Sequence, residues 1–374
     1  MKYLFLFIVA VHGLIHVMGF AKAFNLATLE QLREPITRPV GLLWLAAALL
    51  FFTDAVLLLV APDWWWLPTA GALVLSQAVI IGSWSDAKLG TIVNLMVLVP
   101  VVVAGLGHAP WGFRATYTRD VAAGLSGAPT QVTLVTEADL AHLPLAVQRY
   151  LRFAGAVGKP QVWNYRLRFS GALRSGPKAA WMPIIGDQQS FIDPPARLFL
   201  VEGAMFGLPF TAFHRYVGPA ATFNVKIAAL VPMVNAKGPE MNRAETVTLF
   251  NDMCLLAPAA LIDQRIVWEE IDPQTVRVTY TNAGNTISAV LSFDASGALT
   301  NFISDDRERT EDRTNLGLGA ADAHLRWSTP VHAWRDFNGR MLPVNIETIW
   351  HMPTGEFAYG RFEILSVAYN VVGR

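Results

Sequence analysis

YLFLFIVAVHGLIHVMGF, residues 3–20, is the first of four apolar stretches that occupy the first 108 residues of the chain. The other three are residues 40–60, 66–84 and 89–107. Each has roughly 18 to 21 residues, and at 1.5 Å per residue this length spans a hydrocarbon core of about 30 Å. We therefore predict a helical bundle of four transmembrane helices in a membrane domain of residues 1–110.

The composition of the whole chain limits what it can bind. Apolar residues make up 53% of the 374 residues and charged residues only 16%, a bias explained by the N-terminal part. Twenty-nine acidic residues balance 29 basic ones, so no long-range field attracts nucleic acid. The single cysteine, Cys254, has no partner for a disulfide or a CxxC metal site, and we expect it to be a small core residue.

Basic residues near the ends of the predicted spans indicate the orientation. Four spans place both ends of the membrane domain on one side of the bilayer. The basic residues on that side are Lys2, Arg114 and Arg119, and those on the other side are Lys22, Arg33, Arg38 and Lys88. Three against four predicts an integral membrane protein with the loop around Arg38 in the cytoplasm and the soluble part outside, in a periplasm or at the cell surface. An alternative is a cleaved signal peptide ending in Ala-Lys-Ala at residues 21–23.

Five polar side chains lie inside the predicted spans, where they are costly in lipid. They are His12, His16, Asp54, Gln77 and Asn94. His12 and His16 are four residues apart on one helix face, so both imidazoles could bind one metal ion or a haem, or line a proton path. Counted from the middle of each span, the two histidines, Gln77 and Asn94 can meet at similar depth. The alternative is that these side chains only form interhelical hydrogen bonds.

After the apolar stretches, the composition becomes that of an ordinary globular domain. Residues 111–136 are rich in Gly, Ala and Thr and are typical of a linker to a soluble domain of residues 137–374. Helical spacing appears in residues 137–153 and 240–261, with Pro258 interrupting the second helix. Alternation of apolar and polar residues predicts strands at 163–169, 275–280, 286–293 and 346–350. These elements predict an α+β fold, a large curved antiparallel sheet with covering helices.

The order of these elements resembles the half-barrel of bacterial lipoprotein carriers, in which helices cap a bent sheet over an apolar cavity. Several short motifs are similar to those of an uncharacterised bacterial family known only as a domain of unknown function. The motifs are LPxxVQRYL from Leu143, AETxxxFNDMC from Ala244, SDDR from Ser304 and WxxPxGEFxYG from Trp350. The resemblance runs from about residue 143 to 371 and implies no activity.

Five residues of the soluble part are candidate ligand contacts. Asn251 and Asp252 are poor helix formers within an apolar helix, so they either cap or break it or, with Glu245, line a cavity beneath the sheet. Residues 304–313 contain many charges of both signs, which is typical of a solvated strand end with ion pairs. If Asp305 and Arg307 point inward instead, they could bind a ligand headgroup.

Histidines suggest a further metal site in the soluble part. Glu347 and His351 share a strand face, and a site would need His324 and His332 to converge on them. No HExxH motif, serine nucleophile elbow, Walker loop or GxGxxG fingerprint occurs in the sequence. Two hypotheses remain. The first is a membrane-anchored protein, not an enzyme, that binds a lipid or other apolar ligand in its sheet; the second is a membrane redox or metal enzyme that uses His12 and His16. A structural role in the cell envelope is a third possibility.

Overall fold

The computed structural model describes residues 2–129, 131, 133–307 and 325–373, and the chain divides into two compact units, Met1–Gly112 and Phe113–Arg374. The secondary structure of the first unit is helical in its described part, and a loop of residues 24–37 joins the first two helices. Its helices are α1 (Lys2–Ala23), α2 (Arg38–Val60), α3 (Trp66–Gly82), α4 (Trp84–Ala87) and α5 (Gly90–Gly107). The tight contact of α1 with α2 requires glycine, because a Cβ at Gly19 would overlap the indole of Trp44.

Three helices of the described chain, α1, α2 and α5, are long and apolar enough to cross a membrane. The prediction of four was wrong in this count, because α3 has only 17 residues and is about 25 Å long. It stops at Gly82, since Ser83 has a non-helical backbone (φ −127°, ψ 40°) and the chain restarts as the short α4. That both ends of this unit share one side of the bilayer stays a prediction.

The second unit is an α+β domain, as predicted. Its helices are α6 (Phe113–Leu125), α7 (Leu145–Phe153) and α8 (Pro239–Leu256), with 3₁₀ helices at Glu137–Leu140 and Pro258–Ile262. The first eight strands are β1 (Asn164–Leu173), β2 (Met182–Ile192), β3 (Pro195–Met205), β4 (Leu208–Val217), β5 (Ala220–Ile227), β6 (Val231–Lys237), β7 (Val267–Asp272) and β8 (Thr275–Asn282). The others are β9 (Asn285–Phe293), β10 (Leu299–Ser304), β11 (Arg326–Ser328), β12 (Trp334–Asp336), β13 (Met341–Pro343), β14 (Asn345–Met352) and β15 (Gly355–Tyr369).

Thirteen of the described strands form one antiparallel sheet in the order β6-β5-β4-β3-β2-β1-β15-β14-β11-β10-β9-β8-β7. Laid flat, such a sheet would be about 58 Å wide at roughly 4.8 Å per strand. Helix α8 nevertheless contacts β5 and β6 near one edge and β8 and β9 near the other. The sheet must therefore curve around α8, which explains why 14 of the 18 residues of this helix are buried, Cys254 among them.

Residues 111–136 do not form the predicted linker throughout, because α6 lies within them and packs on the face of the sheet away from α8. Arg114 pairs with Glu202 at 2.7 Å and Asp120 with Arg215 at 2.6 Å. The hydroxyl of Tyr117 donates to Asp187 at 2.9 Å, and its ring packs against Phe213. The low hydropathy of this segment hid a helix that is held by ion pairs and by an apolar stripe, whose residues are Phe113, Tyr117, Val121 and Leu125.

The predicted strands lie in β1, β8, β9 and β14. Helix α8 corresponds to the predicted helix of residues 240–261, with Pro258 at the start of the following 3₁₀ helix rather than inside α8. Residues 137–153 are not one helix, because Pro144 separates a 3₁₀ turn from α7. The fold class of the second unit was thus predicted correctly.

Candidate functional site

A cavity of about 250 Å³ lies in the second unit between the concave face of the sheet and α8. Its walls come mainly from inward-facing positions of β1 to β5, β14 and β15, where strand alternation places every second side chain on this face. Most of these side chains are aromatic or aliphatic, including Phe169, Phe199, Phe210, Phe223, Trp327 and Trp350. The result is an apolar chamber beneath a curved sheet.

One side of the cavity carries a cluster of buried charges centred on Arg197 of β3. Its Nε donates to Asp252 Oδ2 at 2.6 Å and its Nη1 to Glu245 Oε2 at 3.2 Å. The other oxygen of Glu245 lies 2.9 Å from Nδ1 of His214, whose ring stacks on Phe223. Gln188 donates to Asp252 at 2.8 Å. We call these five residues, Gln188, Arg197, His214, Glu245 and Asp252, the Arg197 cluster.

Helix α8 supplies both carboxylates because of its periodicity. Glu245 and Asp252 are seven residues apart, so they lie two turns apart on one face, with Thr248 between them. Asn251 lies next to this face and accepts a hydrogen bond of 2.6 Å from Thr329. The predicted cap or helix break at residues 251–252 does not occur, because tertiary partners satisfy both side chains and α8 continues to Leu256.

Two members of the Arg197 cluster, Glu245 and Arg197, stay charged despite burial. Burial alone raises the pKa of Glu245, but electrostatic interactions with His214 and Arg197 outweigh it and bring this pKa to about 2. Burial likewise disfavours the charged Arg197, yet Asp252 and Glu245 raise the pKa of its guanidinium above the ordinary value. Replacing a buried ion pair by well-packed apolar residues is often neutral or stabilising, so these pairs are weak evidence of added stability.

A second cation, Arg307, lies on the cavity wall beyond the end of β10. Its guanidinium lies 4.9 Å from the ring centre of Trp327 and 5.1 Å from that of Trp350. Its Nε donates to Thr248 of α8 at 3.2 Å. Arg307 also lowers the pKa of Glu245, so it belongs to the same electrostatic environment as the Arg197 cluster.

Four of the five candidate ligand contacts line this cavity, namely Glu245, Asn251, Asp252 and Arg307. Whether they touch a ligand stays a prediction. Asp305 does not join them, because it is exposed and pairs with Arg326 at 2.9 Å. Sequence reasoning missed Gln188, Arg197 and His214. Each is a polar residue in a strand, and the alternation alone does not say which of the two faces is the concave one.

The second proposed metal site is not assembled in the residues that the structure describes. No group of three or more His, Cys, Asp or Glu side chains there could hold a metal ion. His351 is hydrogen-bonded to Ser328 at 2.8 Å and Glu347 pairs with Arg361 at 2.9 Å. His324 and the charges of residues 308–313 lie outside the described residues.

In the first unit, polar side chains form a chain of hydrogen bonds. His12 Nε2 lies 2.9 Å from Asn94 Oδ1, Asn94 Nδ2 donates to Gln77 Oε1 at 3.0 Å, and Gln77 Nε2 donates to Thr91 at 3.1 Å. His16 Nδ1 lies 2.8 Å from the backbone oxygen of His12. Asp54 is apart from this chain, and neither of its oxygens has a hydrogen-bond partner in the described structure. Binding of a metal ion or a haem by His12 and His16 stays a prediction, in which these two imidazoles are the ligands.

Residues 133–362 match a family model described as Family of unknown function (DUF6544). The chain belongs to this family. The match lies within the second unit and covers every strand that contributes to the cavity. No curated protein matches this DUF6544 chain.

Two solved structures are similar to this DUF6544 protein. One is a putative outer membrane lipoprotein-sorting protein domain from Vibrio parahaemolyticus, with 11% identity and a TM-score of 0.33 over 55% of this chain and 85% of that one. The other is a DUF1329 family protein from Desulfovibrio piger ATCC 29098, with 11% identity and a TM-score of 0.35 over 65% and 96% of the two chains.

Proposed function

We propose that this protein is anchored in a bacterial cytoplasmic membrane by its N-terminal helices and binds a lipid or other apolar ligand in the cavity of its second unit. The observation that carries the proposal is the apolar cavity beside α8, with the Arg197 cluster on one wall. An aromatic and aliphatic wall selects an apolar chain, and the buried charges offer polar contacts to one end of it. The ligand that fits both is amphipathic.

Partition into the cavity can supply the binding energy without a catalytic group. Each CH₂ that leaves water for an apolar site gains about 0.8 kcal/mol. The cavity volume of about 250 Å³ is just below the range for small-molecule pockets, roughly 300 to 1,000 Å³. A single acyl chain or another small apolar molecule therefore suits the cavity better than a phospholipid with two chains.

The experiment uses the full chain in lipid nanodiscs with a photoreactive fatty acid that carries a diazirine on its chain. After illumination, mass spectrometry identifies the cross-linked peptides, and we expect them in β4, β5 and α8. Ala212 is buried on the cavity wall in β4, and Ala212→Phe should reduce these cross-links at least tenfold by filling the cavity. The matched control is Ala220→Phe, the same substitution at an exposed site at the start of β5. Cross-links confined to the first unit, or equal in both variants, would contradict the proposal.

Contacts within the first unit indicate which segments share a side of the membrane. Asp86 accepts hydrogen bonds from the backbone N–H groups of Arg33 and Glu34, so the loop after α1 and the segment after α3 lie at one end of the helices. His108, after α5, stacks on Trp66 at the start of α3, so these two lie at the other end. We propose that the second unit is on the side of Lys2, Arg114 and Arg119, opposite Lys22, Arg33, Arg38 and Lys88. Three basic residues against four favour a second unit outside the cytoplasm.

A further inference from the structure

The hydrogen bonds of the first unit fix which nitrogen of each buried histidine carries its proton. Asn94 Nδ2 donates to Gln77, so Asn94 presents its oxygen to His12, and Ser76 also donates to that oxygen at 2.9 Å. His12 Nε2 must therefore carry a proton in order to donate. His16 Nδ1 faces a backbone oxygen, which can only accept, so His16 Nδ1 carries a proton too.

The remaining nitrogen of each neutral imidazole is thus a bare acceptor. These two atoms, His12 Nδ1 and His16 Nε2, have no hydrogen-bond partner among the described residues. The indole N–H of Trp44 is likewise without an acceptor in that part of the chain. The three side chains are only 1 to 2% exposed. A buried polar group left without a partner costs about 1 to 3 kcal/mol. The site therefore favours a molecule with a donor for a bare nitrogen and an acceptor for the indole N–H.

All three side chains line a cavity of about 260 Å³ within the first unit. Ile15 of α1 and Leu89 at the start of α5 also line it, and both are apolar and exposed. Gln31 and Asp86 provide a polar part of the wall in the segments that connect the helices. A cavity with an apolar exposed rim, polar connecting segments and buried acceptors suits a molecule with one apolar part and one polar head.

We propose that this cavity binds a lipid-soluble ligand with a phenol- or quinol-type hydroxyl head. A hydroxyl donates its proton to a bare imidazole nitrogen and accepts from the Trp44 N–H through the same oxygen. The Asn94-Gln77-Thr91 chain acts indirectly, because it holds His12 in the tautomer whose Nδ1 carries no proton. This site is separate from the cavity of the second unit and does not depend on the function proposed there.

Two probes that differ only in the methylation of one oxygen test the proposal in the wild-type full chain. In nanodiscs, equilibrium dialysis compares 4-decylphenol with 4-decylanisole, whose methylated oxygen cannot donate. Empty nanodiscs correct for partition into lipid. Because the phenol satisfies a bare nitrogen and the anisole cannot, we expect at least tenfold tighter binding of the phenol, about 1.4 kcal/mol. Equal binding of the two probes, or binding of neither because ordered water alone satisfies the histidines, overturns the proposal.

Variants locate the binding site and separate it from a metal site. His16→Phe keeps an aromatic ring but removes the bare nitrogen, and it should abolish the preference for the phenol. The control is His108→Phe, because His108 is exposed and does not line the cavity. Zinc chloride is also added alone to the wild type and to His16→Phe. Zinc binding that depends on His16, together with equal binding of the phenol and the anisole, would show that the two imidazoles form a metal site and would reject the hydroxyl ligand.

Discussion

At the scale of single residues, Arg197 has the largest predicted effect on stability. It neutralises two carboxylates inside the sheet, so Arg197→Met leaves Glu245 and Asp252 buried without their main counter-charge. We expect a loss of about 3 to 5 kcal/mol in the stability of the second unit. Hydrogen exchange of α8 amides in the full chain measures this, because a protein of two units need not unfold in one step.

The control for this variant is Arg277→Met, which breaks an exposed pair with Glu269 at 2.9 Å. Exposed pairs contribute about 0 to 1 kcal/mol, so the exchange of α8 should hardly change. If the α8 amides are protected from exchange equally well in Arg197→Met and in Arg277→Met, the Arg197 cluster is not the buried charge network described above.

The pH dependence of stability should reveal Glu245. Its pKa in the folded state, about 2, lies below the ordinary value of 4.5, so its contribution is complete above about pH 5 and is lost as the pH falls toward 2. A shift of this size corresponds to about 3 kcal/mol. Glu245→Gln should therefore flatten the decline of the melting temperature between pH 5 and pH 2. Glu269→Gln, at an exposed carboxylate, should leave the wild-type slope intact.

The candidate site was partly predictable because α8 is a helix whose polar residues interrupt an apolar sequence. Glu245, Asn251 and Asp252 were conspicuous there, and Arg307 follows the end of a clear strand. Arg197 and His214 were not conspicuous, because a polar residue in an alternating strand usually faces water. Only the pairing of β3 with β2 and β4 shows that these two side chains face the concave side.

At the scale of elements, close contact between strands β1 and β15 depends on a glycine. A Cβ at Gly171 would overlap the backbone oxygen of Arg361, which cannot move without distorting the strand pair. We expect Gly171→Ala to destabilise the second unit by about 1 to 3 kcal/mol. The measurement is the hydrogen exchange of β1 and β15 amides.

A matched glycine in the loop after β1 provides the control. A Cβ at Gly176 meets no atom within 4 Å, so Gly176→Ala should be neutral or slightly stabilising through the unfolded state. Equal protection of β1 in the two variants would mean that the strands can separate to admit a methyl group.

The elements themselves follow from local patterns, whereas their arrangement does not. Alternation of apolar and polar residues predicts individual strands well, because it distinguishes the buried face of a strand from its exposed face. The central position of β15, between β1 and β14, joins residues almost 200 positions apart along the chain, and no local pattern specifies such a pairing. Helix α6 escaped prediction because its segment has a low mean hydropathy, although residues 113, 117, 121 and 125 form an apolar stripe that packs against the sheet.

At the scale of the whole molecule, contacts within the first unit determine which segments share a side of the membrane. The loop of residues 24–37 lies beside the segment after α3, because the backbone N–H groups of Arg33 and Glu34 donate to Asp86. The start of α3 lies beside the end of α5, because the ring of Trp66 stacks on that of His108. The loop of residues 24–37 and the end of the first unit are therefore at opposite ends of its helices.

Reporter fusions measure this arrangement directly in bacterial cells. Alkaline phosphatase is active only where its disulfides form, outside the cytoplasm, whereas green fluorescent protein reports the cytoplasm. We expect opposite results after Leu29 and after Arg374, fluorescence at the first and phosphatase activity at the second, because the two positions follow opposite ends of the first unit. Four basic residues on the side of Leu29 against three on the other set this orientation. The same result at both positions would contradict the arrangement of the helices. Phosphatase activity after Leu29 with fluorescence after Arg374 would instead mean that the basic residues do not set the orientation, and the second unit would then meet its ligand in the cytoplasm.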